Sequence, residues 1–404
     1  MKEEKRVIML LAKPYSVATR MRSQAETLAG AGYKVTVLAW DRWKREPEEA
    51  DINGVHVRSV RLLGGQDLFV SSSGSKVSKF DYALSAILLQ LYSFVWCLRN
   101  VRGSFTVHSN FPVLASGVAL KLARPGQVKL VYDCNELTPS VYAEWYGPAV
   151  GLLAASLERL FLRSVDVAIT VSEPILNYLA EVGKPLSTSD SSLILLYNSP
   201  RIADLPLGDK LSCRNYLGLT GFTVSFIGSM RGAYALEALI EAVRLFKDSS
   251  ETAHFVIAGG GADTSALLKK KISEYGLEEY VTLMPQVEHE LALEYVKSSD
   301  VTFAVFKDLV DNSRLAMPWK VLESMACGTP VLVRENTEAW NFVRKEGTGF
   351  AVGSIDPSEI YERLLWAKQH PSQLAVMSTT ATRAFSKYDW EAGSKRLREI
   401  YDTL

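Results

Sequence analysis

The sequence contains few of the residues that build metal centres or disulfide frameworks. Its 404 residues include four cysteines and five histidines, and no two cysteines form a CxxC pair. Widely spaced cysteines argue against a zinc site or a disulfide scaffold and favour a reducing compartment. The formal net charge is zero, which gives no support to nucleic acid as a partner. The sequence has no Asp-x-Asp motif, and we expect neither a metal nor another cofactor.

Long hydrophobic runs are also scarce. The start, MKEEKRVIMLLAKPYS, is charged and then only briefly apolar, so it predicts a first strand and not a signal peptide. Segment 80–100, FDYALSAILLQLYSFVWCLRN, is apolar nearly all round, but its apolar part is shorter than the ~20 residues that span a bilayer. It predicts either a buried helix or a helix lying in a membrane surface. We expect a cytoplasmic protein, with peripheral attachment to the inner face of the cell membrane as one possibility.

Charge is unevenly distributed along the chain. The first 130 residues contain 19 Lys and Arg against 10 Asp and Glu, so the remainder is acidic. A basic first third is typical of a surface that meets anionic lipid, and equally of a solvated face that is balanced elsewhere. The sequence leaves both interpretations open.

The order of the apolar segments predicts two domains. Short apolar strands such as RVIMLLA, YKVTVLAW, FTVHS and VKLVYDC alternate with helical patterns, which is the rhythm of a doubly wound parallel sheet. The stretch LLYNSPRIADLP breaks this rhythm and predicts a hinge, after which TVSFIGS, HFVIAGGG, VTLMP and VTFAVF restart it. We predict an N-terminal domain at 1–199, a C-terminal domain at 200–378, and a helical segment at 379–404 that returns to the first domain.

Several motifs occur in a recognisable order. They include YKVTVLAWDR, LVYDCNEL, VDVAITVSEPI, VSFIGSMRG and FVIAGGG, and the most specific is PWKVLESMACGTPVLV. Together they resemble the retaining nucleotide-sugar glycosyltransferases of the GT-B fold, in particular the large family four. The resemblance implies two Rossmann-like doubly wound α/β domains that face each other across a cleft. It also implies a UDP- or GDP-sugar donor on the C-terminal domain and an acceptor on the N-terminal domain.

Glu323, inside the most specific motif, is the central candidate. The resemblance implies that it opens a helix and accepts hydrogen bonds from the ribose hydroxyls of the nucleotide. A carboxylate is a paired acceptor for a vicinal diol, and a helix N-terminus stabilises its charge. The competing interpretation is an exposed ion pair between Glu323 and Lys320 at i, i+3.

The diphosphate of the donor needs positive charge and backbone N–H groups. Arg231 and Lys320 are the predicted cations and, with Asn135, the predicted catalytic residues. The nucleotide base is expected beside the end of the VTLMP strand. The complete predicted donor set is Gly228, Ser229, Arg231, Pro285, Gln286, Val287, Met317, Lys320 and Glu323.

Two positions depart from the family pattern. Relatives carry a second Glu eight positions before Glu323, to hold the donor sugar, and here that position is Leu315, with 311–313 as possible substitutes. Relatives carry a His where this chain has Asn135, which can hydrogen-bond a sugar but cannot carry a proton at neutral pH. The predicted acceptor set is Arg20, His108, Asn110, Asp133, Asn135 and Glu136. For most of these a purely structural role is the alternative.

The sequence thus predicts a retaining glycosyltransferase that transfers a sugar to an acceptor hydroxyl. The basic first third and segment 80–100 favour a lipid-linked or polysaccharide-precursor glycan as the acceptor. A soluble small-molecule acceptor, a nucleotide-sugar 2-epimerase and a non-catalytic partner protein of the same fold remain as alternatives.

Overall fold

The computed structural model describes residues 5–42, 44–62, 79–183, 192–230 and 233–404, with only the backbone for 79–82. The chain forms two compact units, Met1–Tyr197 with Ser394–Leu404, and Asn198–Gly393. The first break therefore falls close to the predicted boundary at 199/200.

The first unit is built on one eight-stranded sheet. Its strands are β1 (Arg6–Leu11), β2 (Lys34–Trp40), β3 (Glu49–Ile52), β4 (Val55–Val60), β5 (Phe105–Ser109), β6 (Val128–Cys134), β7 (Val167–Thr170) and β8 (Leu193–Leu195). They lie in the order β3-β4-β2-β1-β5-β6-β7-β8, and all pairs are parallel except β3 with β4. The carboxyl ends of the parallel strands therefore share one edge of the sheet.

The antiparallel pair at the edge is a β-hairpin. Asn53 and Gly54 connect its strands with positive φ values of 49° and 79°. These are the residues that a tight two-residue turn prefers. Strand β3 was not predicted, because its sequence, EADI, is polar and mostly exposed.

The helices of the first unit connect these strands. They are α1 (Thr19–Gly30), α2 (Lys79–Asn100), α3 (Leu114–Ala123), α4 (Thr138–Tyr146), α5 (Pro148–Leu162) and α6 (Glu173–Val182). Segment 80–100 is thus the helix α2, and its outer face is apolar. Within the described residues, no helix combines the length and the hydropathy that crossing a membrane requires.

The second unit repeats the architecture on a six-stranded parallel sheet. Its strands are β9 (Thr223–Ile227), β10 (His254–Ala258), β11 (Val281–Met284), β12 (Val301–Ala304), β13 (Val331–Arg334) and β14 (Gly349–Val352), in the order β11-β10-β9-β12-β13-β14. The strand order reverses between β9 and β12. In open α/β sheets, the carboxyl ends beside such a reversal are where ligands bind.

Nine helices of the second unit lie within its described residues. They are α7 (Lys210–Leu217), α8 (Leu236–Asp248), α9 (Ala262–Tyr275), α10 (His289–Ser298), α11 (Asp311–Leu315), α12 (Trp319–Ala326), α13 (Glu338–Glu346), α14 (Pro357–Gln369) and α15 (Pro371–Phe385). Helices α8 and α14 pack on one face of the sheet, where Phe246 meets Phe255 and Tyr361 edge to face. The predicted boundary at 378/379 falls inside α15.

The last helix, α16 (Trp390–Thr403), belongs to the first unit from Ser394 onwards. Asp402 accepts hydrogen bonds from Lys5 and Tyr33, both at 2.9 Å. The Tyr401 ring packs edge to face on Tyr33. Segment 379–404 was predicted to return to the first domain, and these contacts show where its final turns dock.

Candidate functional site

Two glycine loops approach each other at the carboxyl ends of β9 and β10. The N–H of Gly228 donates to Ala258 O at 2.8 Å, and the N–H of Met230 donates to Gly260 O at 2.8 Å. A Cβ atom at Gly259 would lie 1.7 Å from Gly228 O, so only glycine fits there. The result is a backbone-lined floor at the point where the strand order reverses.

Lys320 lies in the first turn of α12, and its side chain closes over this floor. Its Nζ lies 4.7 Å from the ring centroid of Phe226 and 4.3 Å from that of Tyr234. A Cβ atom at Gly228 would come within 2.6 Å of Nζ, so the ammonium rests directly on that glycine. Aromatic faces attract a cation, but they do not replace its hydration.

The ammonium of Lys320 is buried and forms no close ion pair among the described residues. The residue is 9% exposed, and no carboxylate of the described residues lies within 4.0 Å of it. Burial lowers the pKa of Lys320 to about 8, and the Glu323 carboxylate opposes that shift. The competing interpretation, an exposed i, i+3 ion pair with Glu323, does not describe this geometry.

Glu323 follows on the same helix and is partly accessible. Its side chain is 18% exposed, and Oε1 lies 3.9 Å from Nδ1 of His289 at the start of α10. Burial raises the pKa of Glu323, while His289 and Lys320 oppose that rise. The carboxylate is thus partly accessible to a ligand and lies close to the His289 ring and the Lys320 ammonium.

The other predicted donor residues fall around the same floor. Gln286 follows β11, and its Oε1 lies 3.1 Å from the position of a Cβ on Gly260. Pro285 and Val287 flank Gln286, and Met317 is buried just before α12. Ser229 continues the Gly228 loop. Arg231 lies outside the described residues, so its predicted role stays a prediction.

The segment before α12 contains Leu315, at the position where the resemblance implies a sugar-binding Glu, and whether 311–313 substitute for it stays a prediction. Leu315 ends the short helix α11, and Ser313 is buried there. The Ser313 hydroxyl donates to the carbonyl oxygens of Asp308 and Val310, at 2.6 and 2.9 Å. That hydroxyl therefore braces its own turn.

In the first unit, three predicted acceptor residues form a buried network. The Arg20 guanidinium donates hydrogen bonds to the Asp133 carboxylate at 2.8–3.0 Å through Nε and Nη2. It also donates to Leu196 O at 2.8 Å through Nη1. Gln24 donates to Asp133 at 2.7 Å, and His108 Nε2 lies 3.7 Å from Asp133. Burial raises the pKa of Asp133, but Arg20 and His108 together outweigh it and hold the pKa well below its usual range.

Tyr401 completes this network from α16. Its hydroxyl lies 2.6 Å from His108 Nδ1. The Arg20 and His108 side chains were predicted to face an acceptor, with an exposed helix position as the alternative for Arg20. The structure buries Arg20, His108 and Asp133, each less than 5% exposed. Acceptor contact by these residues stays a prediction.

The other three predicted acceptor residues lie nearer the surface. Asn135 is half-buried just after β6, and its Oδ1 has no hydrogen-bond partner among the described residues. The Oδ1 of Asn110 likewise has none. Glu136 is exposed. Lys13, in the loop after β1, lies near it. Burial lowers the pKa of Lys13, and Glu136 opposes that shift.

Sequence reasoning missed Gln24 and Tyr401 in the first unit, which are distant in sequence from the residues they contact, and also His289, Tyr234 and Lys13. His289 stands in the stretch MPQVEHE, at the start of a helix, and that position was its only signal. Tyr234 was missed because an aromatic residue between a loop and a helix is usually core. Lys13 gave no signal beyond its position between a strand and a helix.

Comparison with known proteins places both halves of the chain. Residues 221–369 match the family model of glycosyl transferases group 1, and residues 16–186 match that of the glycosyl transferase 4-like domain. A D-inositol 3-phosphate glycosyltransferase of Thermobispora bispora is 25% identical over 48% of this chain and 46% of its own. The matched region thus spans about half the length of that relative.

Other relatives match over the full length. The uncharacterized glycosyltransferase MJ1607 of Methanocaldococcus jannaschii is 22% identical over 95% of this chain and 93% of its own. Sucrose-phosphate synthase of Thermosynechococcus elongatus superposes with a TM-score of 0.76 at 16% identity, covering 99% of both chains. Anabaena Alr3699/HepE, solved with UDP and glucose, gives 0.71 at 13% identity over 99% of this chain and 100% of its own.

These matches confirm the predicted fold class, a GT-B protein with two Rossmann-like doubly wound α/β domains. The predicted enzyme class is confirmed by the two family models, which together cover most of the chain. The chain therefore belongs to the group 1 glycosyltransferases.

Proposed function

We propose that this enzyme is a retaining glycosyltransferase that moves a sugar from a nucleoside diphosphate sugar to an acceptor hydroxyl. The observation that carries the proposal is the Lys320–Glu323 pair on the first turns of α12. It combines a buried ammonium that lacks a carboxylate within 4.0 Å, among the described residues, with an accessible carboxylate. A ribose diphosphate offers the complementary groups, an anion and a vicinal diol.

The chemistry divides among these residues as follows. Glu323 accepts hydrogen bonds from the ribose hydroxyls, and Lys320 neutralises charge on the departing diphosphate, with Arg231 as the second cation. A departing phosphate oxygen takes the proton of the acceptor hydroxyl on the same face of the donor sugar, so the mechanism needs no side-chain base. Asn135 orients a sugar hydroxyl. The positive charge of Lys320 and Arg231 is what makes a metal unnecessary in this scheme.

UDP or GDP is the proposed nucleotide. Alr3699/HepE is a structural neighbour whose solved complexes contain UDP, UDP with glucose, and UDP-glucose. The likeness is a likeness of fold, so it supports UDP only as the first nucleotide to test.

A lipid-linked glycan precursor at the inner membrane face is the proposed acceptor. Its support is the apolar outer face of α2, which exposes Ile87 and Leu91. A soluble phosphorylated acceptor is the second candidate. It is favoured by the matched D-inositol 3-phosphate glycosyltransferases and by Lys13, a cation for which no hydrogen bond is described.

The first test is calorimetric titration with UDP, GDP, ADP and their common sugars. One nucleotide should bind the wild type, and Glu323→Ala should weaken it at least tenfold, since hydrogen bonds to a charged group contribute about 1.5–3 kcal/mol each. Glu362→Ala, an exposed carboxylate on α14, is the matched control and should bind as the wild type does. If no nucleotide binds, or if Glu323→Ala binds normally, the proposal fails.

A further inference from the structure

Helix α2 exposes large apolar residues on its outer face, and its inner face buries small polar residues together with the apolar Ala86, Leu89 and Cys97. Its exposed apolar residues are Leu84, Ile87, Leu91 and Val95. They are three or four positions apart and therefore lie on one face of the helix. Ser85 and Ser93 face inward, each 1% exposed, and the Ser93 hydroxyl has no partner among the described residues. A surface helix of a globular protein normally has charged and polar residues on its outer face and its apolar stripe on the core.

Helix α5 also exposes large apolar residues while it buries a polar group. It exposes Leu152 by 71%, Leu153 by 58% and Leu160 by 54%. Its inner face buries the carboxyl of Glu158, which accepts hydrogen bonds from Tyr132 at 2.6 Å and Tyr178 at 2.8 Å. Two helices of one unit thus bury polar groups and expose large apolar side chains.

Helix α3 connects α2 and α5, because it packs against both of them. Leu122, near the end of α3, is 72% exposed. The outer sides of α2, α3 and α5 therefore form one surface, called here the α2–α5 surface, and no scattered set of single exposed residues.

The exposed charges at the ends of α2 and α5 are positive. Arg99 and Arg102 are exposed at the end of α2, and Arg159 and Arg163 at the end of α5. No ion pair is described for these four side chains. From Ala83 onwards α2 has no carboxylate, and the single carboxylate of α5, Glu158, is buried.

We propose that the α2–α5 surface docks on an anionic lipid bilayer, with α2 and α5 lying in the interface plane. Leucines enter the boundary between headgroups and acyl chains, and the arginines at the helix ends pair with lipid phosphates. A second copy of this chain would bring the same uncompensated arginines, whereas an anionic bilayer neutralises them. The inference deepens the proposed lipid-linked acceptor and rests on that part of the proposed function.

The test is co-sedimentation of the full chain with vesicles. Wild type should bind vesicles of phosphatidylcholine with phosphatidylglycerol, and bind phosphatidylcholine alone at least tenfold more weakly. The double variant Leu91→Glu/Leu152→Glu should lose at least tenfold in partitioning, whereas Val376→Glu, 67% exposed on α15, should not. Arg99→Ala and Arg159→Ala should each lose about fivefold, the equivalent of about 1 kcal/mol per charge, with Arg383→Ala unchanged. All these positions are exposed, and thermal melting checks that each variant is folded.

Three results overturn the inference. The first is a wild type that binds no vesicles, and the second is a double variant that binds as well as the wild type. The third is a dimer in light scattering that Leu91→Glu dissociates, without vesicle binding, because it assigns the surface to a second copy. Nucleotide titration of the same samples keeps the proposals apart. Vesicle binding without nucleotide binding defeats the proposed transferase reaction and leaves the docking surface standing.

Discussion

In the first unit the buried guanidinium of Arg20 donates to the carboxylate of Asp133 and to the carbonyl oxygen of Leu196. The amide of Gln24 also donates to that carboxylate. In the second unit the buried ammonium of Lys320 has two aromatic rings and a glycine. Burying a charge costs free energy unless partners compensate for it. The first arrangement is compensated within the protein. We propose that the anionic group of a ligand completes the compensation in the second arrangement, which would make it a binding site and the first a structural network.

The largest expected effect breaks the compensated network. Arg20→Met should lower the free energy of unfolding by about 3–5 kcal/mol, because Asp133 then stays buried without its cation. Urea denaturation measures this loss. Arg22→Met, two positions away on the same helix and outside the network, should stay within about 1 kcal/mol of the wild type. An Arg20→Met protein as stable as that control would contradict the structural role.

Next in size is a pH effect on the second unit. The pKa of Lys320 is about 8 in the folded protein and 10.5 without burial. Between these values the unfolded chain binds more protons, so this group makes the free energy of unfolding rise with pH, by roughly 2–3 kcal/mol. Denaturation of wild type and Lys320→Met at pH 7.5 and 10 isolates the effect, because the variant should lack it. Equal pH slopes in the two proteins would show that Lys320 is not buried as a free cation.

A somewhat smaller effect concerns the ligand. Lys320→Met keeps the length of the side chain but removes its charge, so it should preserve stability while weakening UDP binding by about 10- to 100-fold, equivalent to about 1.4–2.7 kcal/mol. Isothermal titration provides the affinity. Lys270→Met, exposed on α9, is the control. Unchanged affinity in Lys320→Met would remove this residue from the donor site.

The smallest effect probes the edge of the network. Tyr401→Phe removes only the hydroxyl that meets His108 at 2.6 Å, and it should lower the free energy of unfolding by about 1 kcal/mol. Tyr216→Phe, an exposed tyrosine on α7, should change it by a few tenths at most. A loss no greater than in that control would mean that α16 is held in place by Asp402 and its packing alone.

The sequence predicted the elements that follow local patterns. The apolar strands RVIMLLA and VTFAVF became β1 and β12, and the motif around Glu323 became the first turns of α12. It did not predict the burial of Arg20, since the partner carboxylate, Asp133, is distant in sequence. It also could not decide which side of α2 faces outward, because both sides contain apolar residues and only packing against α3 selects one.

The candidate site shows the same limit. Glu323 and Lys320 follow from a motif that fixes their spacing on a helix. The approach of His289 to Glu323 depends instead on how α10 and α12 pack. Arg231 lies outside the described residues, so its predicted role is untested. Leu315 stands where the resemblance implies a Glu, so the family pattern gives no role for it.

The position of α16 has a consequence for biosynthesis. The first unit lacks its last helix until Ser394–Leu404 has been translated, although its sheet is complete at Leu195. At roughly 5–20 residues per second, the ribosome needs about 10–40 s to synthesise the intervening chain. Throughout that interval the surface that will receive Tyr401 and Asp402 stays uncovered on the nascent chain. The second unit can fold before Ser394–Leu404 has been synthesised, whereas the first unit closes only after that segment has left the ribosome.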